Sequence, residues 1–284
     1  VSTLALVLGL AACQSVDETP TVSDSNRNHM TGSFVWHDLI THDLQQAKQF
    51  YAGLFNWRFE TADDRGGNPY SLAKIEDRYS VGLLEVERPA DGSNYTRWLG
   101  YMVVDNIDQA VNITRDSGGM QVSRSVERSE IGSAVAIQDS EQAVLGLIES
   151  DFDVSGVVLR EAPGAVVWNE LLSDDPRAAA AFYTALAGLR ADTQQRRGGD
   201  YTILQAGGEA TAGILGNPFE SAGPLWLTYI AVHDPAETVS RVEALGGKVL
   251  LPPSPELREG NMALIQDPGG AILALQKWPA GQRG

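Results

Sequence analysis

The stretch VWHDLITHDLQQAKQFYAGLFNW, residues 35–57, combines the two periodicities that decide the fold. Its first part has the side-chain alternation of a strand, predicted over residues 34–40. Asp43 follows as a predicted helix N-cap, with Gln46 three residues later as in a capping box. Apolar residues then recur at helical spacing as far as Leu54. The stretch therefore predicts a strand that leads directly into a helix.

This pattern is duplicated. The sequence VWNEL, residues 167–171, repeats VWHDL, residues 35–39, at an offset of 132 positions. Further along the chain the offset shortens to 128 positions, as between Trp98 and Trp226, because the loops of the second copy are shorter. A long internal repeat indicates repeated structural units. The predicted domains span residues 33–150 and 163–278, with a linker near residues 149–164.

Each half contains a fainter repeat of a strand, a helix and three further strands. The second helix is predicted to begin near Asn106 and to end at Gly118, since Asx residues cap helix N-termini and glycine ends helices. By the same signals, the fourth helix begins at Asp234 and ends at Gly246. The strands predicted in the second unit are residues 122–126, 133–138 and 144–149. The predicted fold class is α+β, with four βαβββ units, two in each domain.

The composition is that of a globular protein with an acidic surface. Of the 284 residues, 43% are hydrophobic and 20% are charged, which is enough to bury real cores. Asp and Glu number 37 against 21 Lys and Arg, so the formal net charge is −16. Such a surface repels duplex nucleic acid, and we expect no nucleic-acid partner.

The N-terminal segment predicts export from the cytoplasm. Residues 4–12 form the apolar run LALVLGLAA, which is too short to span a bilayer but is typical of a secretory signal. The run ends at Cys13, and because the chain has one cysteine, no intramolecular disulfide can form. Residues 13–32 are predominantly polar and are predicted to be a flexible tether.

The tetrapeptide LAAC, residues 10–13, resembles the lipobox of bacterial lipoproteins, in which the cysteine becomes the acylated first residue. The resemblance implies that residues 1–12 are a removed signal segment and that Cys13 carries lipid. It also implies a membrane-anchored protein on the periplasmic side of the cell envelope, with the outer membrane favoured by Gln14. A buried free cysteine is the open alternative. No basic residue precedes Arg27, so we expect that the sequence lacks its first few residues.

The motif V-W-H-D-L-x-T-x-D-x-x-x-A-x-x-F-Y-x-x-L-F-x-W, residues 35–57, resembles the vicinal oxygen chelate superfamily. That group includes glyoxalase I, extradiol dioxygenases and the bleomycin- and fosfomycin-resistance proteins. The resemblance covers residues 33–278. It implies that two βαβββ units pair into a curved sheet around a cavity, and that the chain holds two such domains in tandem.

The resemblance also implies where a divalent metal would be bound, because the enzymes of this superfamily usually take metal ligands from the first and last strands of a unit. Metal ions need imidazole, thiolate or carboxylate groups, whereas an indole N–H only donates hydrogen bonds. None of the eight matching side chains offers a metal ligand, so we expect neither a metal nor another cofactor. The eight residues are Trp36, Trp98, Trp168 and Trp226 on first strands and Leu84, Gly146, Leu215 and Ala274 on last strands.

An alignment shifted by one residue gives a different result in the first unit. It places His37 and Glu85 at the ligand positions, although the same shift gives Leu99, Leu147, Leu227 and Leu275 in the second and fourth units. His37 also alternates to the strand face opposite Trp36. This shifted alignment leaves a metal-dependent glyoxalase- or dioxygenase-like enzyme as the alternative function.

Strand alternation places Trp36 and Asp38 on one face of the first domain, and Trp168 and Glu170 on the equivalent face of the second. The repeat assigns Trp98 and Trp226 to the same two faces, so each cavity is expected to contain two tryptophans and one carboxylate. Such a pocket suits a flat or cationic small molecule through stacking, cation–π contact and a counter-charge.

Two further interpretations of these residues stay open. A desolvated Asp38 or Glu170 could act as a general base, although no acid partner or nucleophile is evident. The tryptophans could also simply fill space, in an assembly module whose cavities are closed. We favour a metal-independent, small-molecule-binding protein similar in logic to antibiotic-sequestering resistance proteins.

Overall fold

The computed structural model describes residues 31–65, 67–128, 132–149, 162–196, 199–219 and 223–278. Their strands form two sheets, one from each half of the chain, and each half also contributes two helices.

The first half contains nine strands and two helices among its described residues. The strands are β1 (Phe34–Thr41), β2 (Arg58–Arg65), β3 (Asn68–Ile75), β4 (Arg78–Glu85), β5 (Arg97–Val103), β6 (Met120–Gln121), β7 (Val126–Arg128), β8 (Gly132–Gln138) and β9 (Val144–Glu149). The helices are α1 (Leu44–Phe55) and α2 (Ile107–Asp116).

The described part of the second half contains eight strands, two α-helices and two short 3-10 helices. The strands are β10 (Val166–Ser173), β11 (Arg190–Arg196), β12 (Gly199–Ala206), β13 (Glu209–Gly216), β14 (Leu225–Val232), β15 (Lys248–Leu251), β16 (Met262–Gln266) and β17 (Ile272–Lys277). The helices are α3 (Pro176–Ala187) and α4 (Pro235–Val242), and the 3-10 helices are Glu243–Leu245 and Arg258–Gly260.

The two sheets share one topology. Their strand orders are β2-β3-β4-β1-β5-β9-β8-β6, with β7 paired to β8, and β11-β12-β13-β10-β14-β17-β16-β15. At the centre of each sheet the first strands of the two units pair antiparallel, β1 with β5 and β10 with β14. Each first strand also pairs in parallel with the last strand of its own unit. The predicted fold class, two tandem α+β domains of paired units, is confirmed.

The helices begin where the sequence signals place them. The side chain of Asp43 accepts from the N–H of Gln46 at 2.8 Å, and Asn106 caps α2 in the same way. Asp175 and Asp234 cap α3 and α4, each followed by a proline whose missing N–H costs nothing at that position. These caps explain why the helix starts could be predicted from local sequence alone.

One predicted strand is wrong. Residues 122–126 do not form a strand, because β6 ends at Gln121 and β7 begins at Val126. The N–H groups of Val122 and Ser123 both point to the carbonyl of Ala136, which interrupts the ladder with β8. The second unit therefore has four strands after its helix instead of three.

The two halves share their hydrophobic cores. One cluster joins Val111 of α2 to Phe182 of α3, and another joins Phe50 of α1 to Val242 of α4. Between the sheets, His37 Nε2 lies 2.8 Å from Asn169 Oδ1, and these two residues are equivalent in the repeat. Contact between equivalent residues is the signature of an approximate two-fold relation between the halves.

Two buried tyrosines link the two halves by hydrogen bonds. The hydroxyl of Tyr51 on α1 donates to Asp267 Oδ2 at 3.0 Å, in the turn between β16 and β17. The hydroxyl of Tyr183 on α3 donates to Asp139 Oδ2 at 2.8 Å, in the equivalent turn of the first half. Burial, together with the nearby carboxylate, raises the pKa of both phenols, which therefore remain protonated donors.

The end of the predicted tether, residues 13–32, belongs to the fold. Gly32 N–H donates to the carbonyl of Val103, and Thr211 Oγ1 donates to the carbonyl of Gly32. Cys13 and the predicted signal segment, residues 1–12, lie outside the described residues. In the ranges that the structure describes, no helix is both long and apolar enough to cross a membrane.

Candidate functional site

Each sheet has an outer face, turned away from the helices, and the outer face of the first sheet holds a closed polar network. Asp38 of β1 is 0% exposed at its centre. The carboxylate accepts hydrogen bonds from Trp36 Nε1 at 2.7 Å, from the Tyr70 hydroxyl at 2.8 Å and from the Tyr101 hydroxyl at 2.9 Å. Trp36 itself is only 5% exposed. This carboxylate is therefore sealed behind aromatic side chains.

The second sheet repeats this network with a more open arrangement. Glu170 of β10 accepts from the hydroxyls of Tyr201 and Tyr229, as Asp38 does from the tyrosines of the first half. A third donor, Arg258 Nη2, lies 2.6 Å from Glu170 Oε1. Trp168 is only partly buried and donates to the Tyr201 hydroxyl, and the Arg258 side chain is 38% exposed. An aromatic ring and a cation are thus accessible here.

Small residues on the neighbouring strands make room for the tyrosine rings. A side-chain carbon at Gly82 would collide with the Tyr70 hydroxyl, and one at Gly213 would collide with the Tyr201 hydroxyl. Gly146 faces Tyr101 in the same way. All four positions that a metal enzyme would use on last strands lie opposite these tyrosines in the sheet register: Leu84 opposite Tyr70, Gly146 opposite Tyr101, Leu215 opposite Tyr201 and Ala274 opposite Tyr229.

Electrostatics fixes the protonation states in the second network. Burial, followed by the charge of Glu170, raises the pKa of Tyr201 and of Tyr229, so both phenols are neutral donors. Burial is the largest single influence on the pKa of Arg258 and lowers it, but the charge and hydrogen bond of Glu170 together with Tyr229 and Tyr201 outweigh burial, and the pKa is raised. Arg258 is therefore a permanent cation, paired with Glu170.

The backbone that carries Arg258 is strained. Arg258 and Glu259 have φ angles of 48° and 58°, and Gly260 follows at 80°. Left-handed backbone is costly for residues other than glycine, and two such residues in succession are unusual. The turn brings the guanidinium over the Tyr229 ring, 5.0 Å from its centroid. The left-handed residues therefore lie where the chain places the Arg258 guanidinium beside Glu170.

Two of the predicted site residues lie on the wrong face. Trp98 pairs directly with Leu39 across the sheet, and Trp226 pairs with Leu171, so both rings face the helices. Trp98 Nε1 donates to the Tyr51 hydroxyl at 3.1 Å, and Trp226 Nε1 donates to the Tyr183 hydroxyl at 2.9 Å.

The face of Trp98 was predicted wrongly because the connection from its strand to the next helix is one residue longer than the connection that follows Trp36. Trp36 precedes its helix cap, Asp43, by seven residues, whereas Trp98 precedes Asn106 by eight. One extra residue moves a strand side chain to the opposite face. Trp36, Asp38, Trp168 and Glu170 do lie on the predicted faces, one pair in each sheet.

The structure does not bring together His37 and Glu85, the ligands of the alternative metal site. His37 points toward the other half of the chain, where it bonds to Asn169. Glu85 Oε2 accepts from the N–H of Leu44, at the start of α1. The expectation that these two side chains share a site is wrong, because each is engaged at a different boundary.

The outer faces do not fit a divalent metal. Among the described residues, no three His, Cys, Asp or Glu side chains cluster closely enough to hold a metal ion. Each network offers one carboxylate surrounded by phenol and indole donors, and a metal needs several acceptors.

Two open cavities lie away from both carboxylates, where the halves meet. One, of about 590 Å³, is lined in part by Arg58, Gly164 and His233. The other, of about 340 Å³, is lined in part by Asp105 and Gly188. The cavities predicted beside Asp38 and Glu170 are not these two.

Five residues of the networks were missed by the sequence reasoning. The two tyrosines of each network recur at offsets of 131 and 128 positions, within the range over which the repeat shortens from 132 to 128, so a search for repeated polar aromatic residues would have found them. Arg258 lies in a loop and gave no periodic signal. The five residues are Tyr70, Tyr101, Tyr201, Tyr229 and Arg258.

Comparison with known proteins shows the family. The profile of the Glyoxalase/Bleomycin resistance protein/Dioxygenase superfamily matches residues 165–275. The chain is 31% identical over 253 residues to "Putative glyoxylase CFP32" of Mycobacterium tuberculosis, covering 87% of this chain and 95% of that protein. This chain belongs to that superfamily.

Other proteins are similar to this chain in sequence or in fold. The chain is 27% identical over 252 residues to "Anthracycline biosynthesis protein DnrV" of Streptomyces peucetius, covering 84% of this chain and 91% of that protein. Its fold is similar to the Mn(II)-bound glyoxalase of Novosphingobium aromaticivorans, with a TM-score of 0.56, 13% identity, and coverage of 87% and 82%. The 2,3-dioxygenase LapB of Pseudomonas sp. KL28 also has a TM-score of 0.56, with 14% identity and coverage of 87% and 93%.

Proposed function

We propose that this glyoxalase-like protein binds a planar small organic molecule on the outer face of its second sheet, without a metal ion. The observation that carries the proposal is the difference between the two networks. Trp36 and Asp38 are sealed, whereas Trp168 and Arg258, beside Glu170, are partly exposed. An accessible indole ring next to a few fixed polar groups is typical of small-molecule sites.

The chemistry of the second network supports binding more than catalysis. A general acid or base works best when its pKa lies near the working pH. The pKa values of Tyr201 and Tyr229 are raised away from neutrality, and Glu170 is held by three donors. These groups are suited to orient a ligand. Because Arg258 neutralises the negative charge of Glu170, the network favours a ligand held by its aromatic ring over one held by a positive charge.

The name of one relative supports the same ligand shape. One of them is named for anthracycline biosynthesis, and anthracyclines are built on planar fused rings. A partly exposed Trp168 offers the stacking surface that such a ring system needs.

Titration calorimetry with 2-naphthamide, a neutral planar probe, tests this site. We expect the unmodified protein to bind the probe and Trp168→Ala to lower the affinity about tenfold, because the stacking surface is lost. Tyr95→Ala is the matched control, since Tyr95 is an aromatic residue 47% exposed in the first half. Failure of the protein to bind, or equal affinity after Trp168→Ala, would contradict the proposal.

Metal independence has its own test. Metal analysis of protein purified without chelators or metal-affinity resins should find far less than one metal ion per chain, and a chelator should leave probe affinity unchanged. The outer-face donor sets, each with one carboxylate, support this expectation. Stoichiometric metal, or probe binding abolished by the chelator, would instead favour a metal-dependent glyoxalase- or dioxygenase-like activity.

We also propose that Cys13 is lipidated and anchors the chain in the cell envelope, on the periplasmic side and preferably at the outer membrane. The support is the LAAC sequence that ends at Cys13, after a short apolar run. Several acyl chains on one cysteine anchor a protein stably.

A further inference from the structure

We infer that the second-half site is selective for ligands that carry a carboxylate or another anionic oxygen beside the planar ring, with Arg258 as the specificity-determining cation. The inference rests on the proposed function and names the ligand class of the same site. Three observations carry it: the unused donors of Arg258, the local balance of charge and the strained turn.

The first observation is the hydrogen bonding of the guanidinium. Arginine has five N–H donors in a fixed planar fork. Among the described residues, Glu170 is the hydrogen-bond acceptor of Arg258, through Nη2, and the guanidinium otherwise lies over the Tyr229 ring. With its side chain 38% exposed, Arg258 presents further N–H donors to solvent. A carboxylate is the partner whose geometry matches such a fork.

The second observation is the charge around the tyrosine pair. The chain as a whole carries a net charge of −16, which repels anions from most of its surface. Among the described residues, the rings of Tyr201 and Tyr229 each lie against a guanidinium group, and their hydroxyls share the carboxylate of Glu170. Arg258 lies over Tyr229, and Arg196 lies 3.9 Å from the ring centroid of Tyr201. Both phenol hydrogens are donated to Glu170, so the donors that remain for a ligand are the N–H groups of the guanidinium.

The third observation is the conformation of the turn. The successive left-handed residues Arg258 and Glu259 are costly for the fold, and such strain persists where the surroundings fix a group in place. The group fixed here is the guanidinium. Lys is a poor substitute, because its single ammonium cannot match both Glu170 and a planar carboxylate in a fork.

The test compares 2-naphthoate with 2-naphthamide, which differ in charge but hardly in shape. The unmodified protein should bind naphthoate about tenfold more tightly, since a carboxylate offers the guanidinium an opposite charge and two acceptor oxygens, whereas the amide is neutral and offers one. Arg258→Gln should abolish this preference, and Arg258→Lys should restore only part of it. Arg97→Gln, which removes a partly buried arginine from the first sheet, is the matched control and should keep the full preference.

A double variant keeps the test decisive if Arg258→Gln alone does not fold. Arg258→Gln leaves Glu170 buried without its cation, so the double variant Arg258→Gln with Glu170→Gln removes both charges together. It should fold and should bind the two probes equally. Equal binding of the probes by the unmodified protein, or a preference that survives in Arg258→Gln or in the folded double variant, would overturn the inference while leaving the proposed function intact. If neither probe binds, the proposed function fails as well.

Discussion

At the scale of single residues, the repeat gives matched pairs whose environments differ. Trp36 is sealed against the first sheet, while Trp168 is partly exposed on the second. Trp36→Ala should therefore cost about 3–5 kcal/mol of unfolding free energy, the range for a buried aromatic residue. Trp168→Ala should cost clearly less. Urea denaturation of the two variants measures the difference, and equal costs would show that Trp168 is also a core residue.

The small residues beside the tyrosines give a second residue-scale prediction. Gly213→Ala places a carbon against the Tyr201 hydroxyl and should destabilise the fold by about 1–3 kcal/mol, as overpacking does. Gly216→Ala is the control on the same strand, because nothing lies within 4 Å of a side-chain carbon there. Chemical denaturation of both variants is the measurement. A loss of stability as large at Gly216 as at Gly213 would mean that the strand, and not the tyrosine, is sensitive.

At the scale of elements, α1 and α3 are each fastened to a turn of the other half through Tyr51–Asp267 and Tyr183–Asp139. Burial raises the pKa of Asp139 and Asp267 above the usual carboxyl value, although hydrogen bonds from the tyrosines and the backbone oppose it. The folded chain therefore binds these protons more readily than the unfolded chain does. This contribution to the free energy of unfolding increases as the pH falls from neutrality toward the raised pKa values.

The variant Asp267→Asn tests that sign, because an amide keeps an acceptor for the backbone N–H groups of Gly270 and Ala271. The unfolding free energy of the unmodified protein, minus that of the variant, should be larger at a pH of about 5 than at neutrality. Asp91→Asn is the control, since hydrogen bonds from Ser93 lower the pKa of that exposed carboxyl. A difference that shrinks as the pH falls would contradict the buried, proton-binding turn.

The starts of the helices could be predicted from the sequence, whereas the face of one strand residue and a long-range contact could not. The helix starts were predictable because the caps at Asp43 and Asp175 are local signals, read within a few residues. The face of Trp98 was not, because one extra loop residue reverses the side of a strand while leaving its composition unchanged. Arg258 reaches Glu170 across 88 positions, and no local pattern encodes such a contact.

At the scale of the whole molecule, duplication has produced two halves with shared cores and different surfaces. Clusters that mix residues of both halves hold the sheets together, and equivalent residues, His37 and Asn169, meet between them. The repeat was evident in the sequence and fixed the number and kind of domains. The divergence between a sealed and an accessible carboxylate network was not evident, because it depends on burial and on the path of one loop.

The predicted lipid anchor at Cys13 determines where the whole molecule is found in the cell. Cys13→Ser should move the protein from the membrane fraction to the soluble fraction of cells that express the full precursor, because the acylated residue is lost. Fractionation followed by immunoblotting measures the change. Gln14→Ser, which keeps the cysteine, is the control and should stay in the membrane fraction. Membrane association that persists in Cys13→Ser would rule out a lipid anchor at that residue.

NMR of the tryptophan indole N–H groups during titration with 2-naphthoate locates the ligand site, which we place on the second sheet beside Trp168. Three of these groups report on three places: Trp168 on the second outer face, Trp36 in the sealed network and Trp57, which donates to Gly164 beside the 590 Å³ cavity. We predict that the Trp168 signal shifts progressively to saturation while the signals of Trp36 and Trp57 stay in place. A shift of the Trp57 or Trp36 signal while the Trp168 signal stays in place would show that the ligand binds elsewhere.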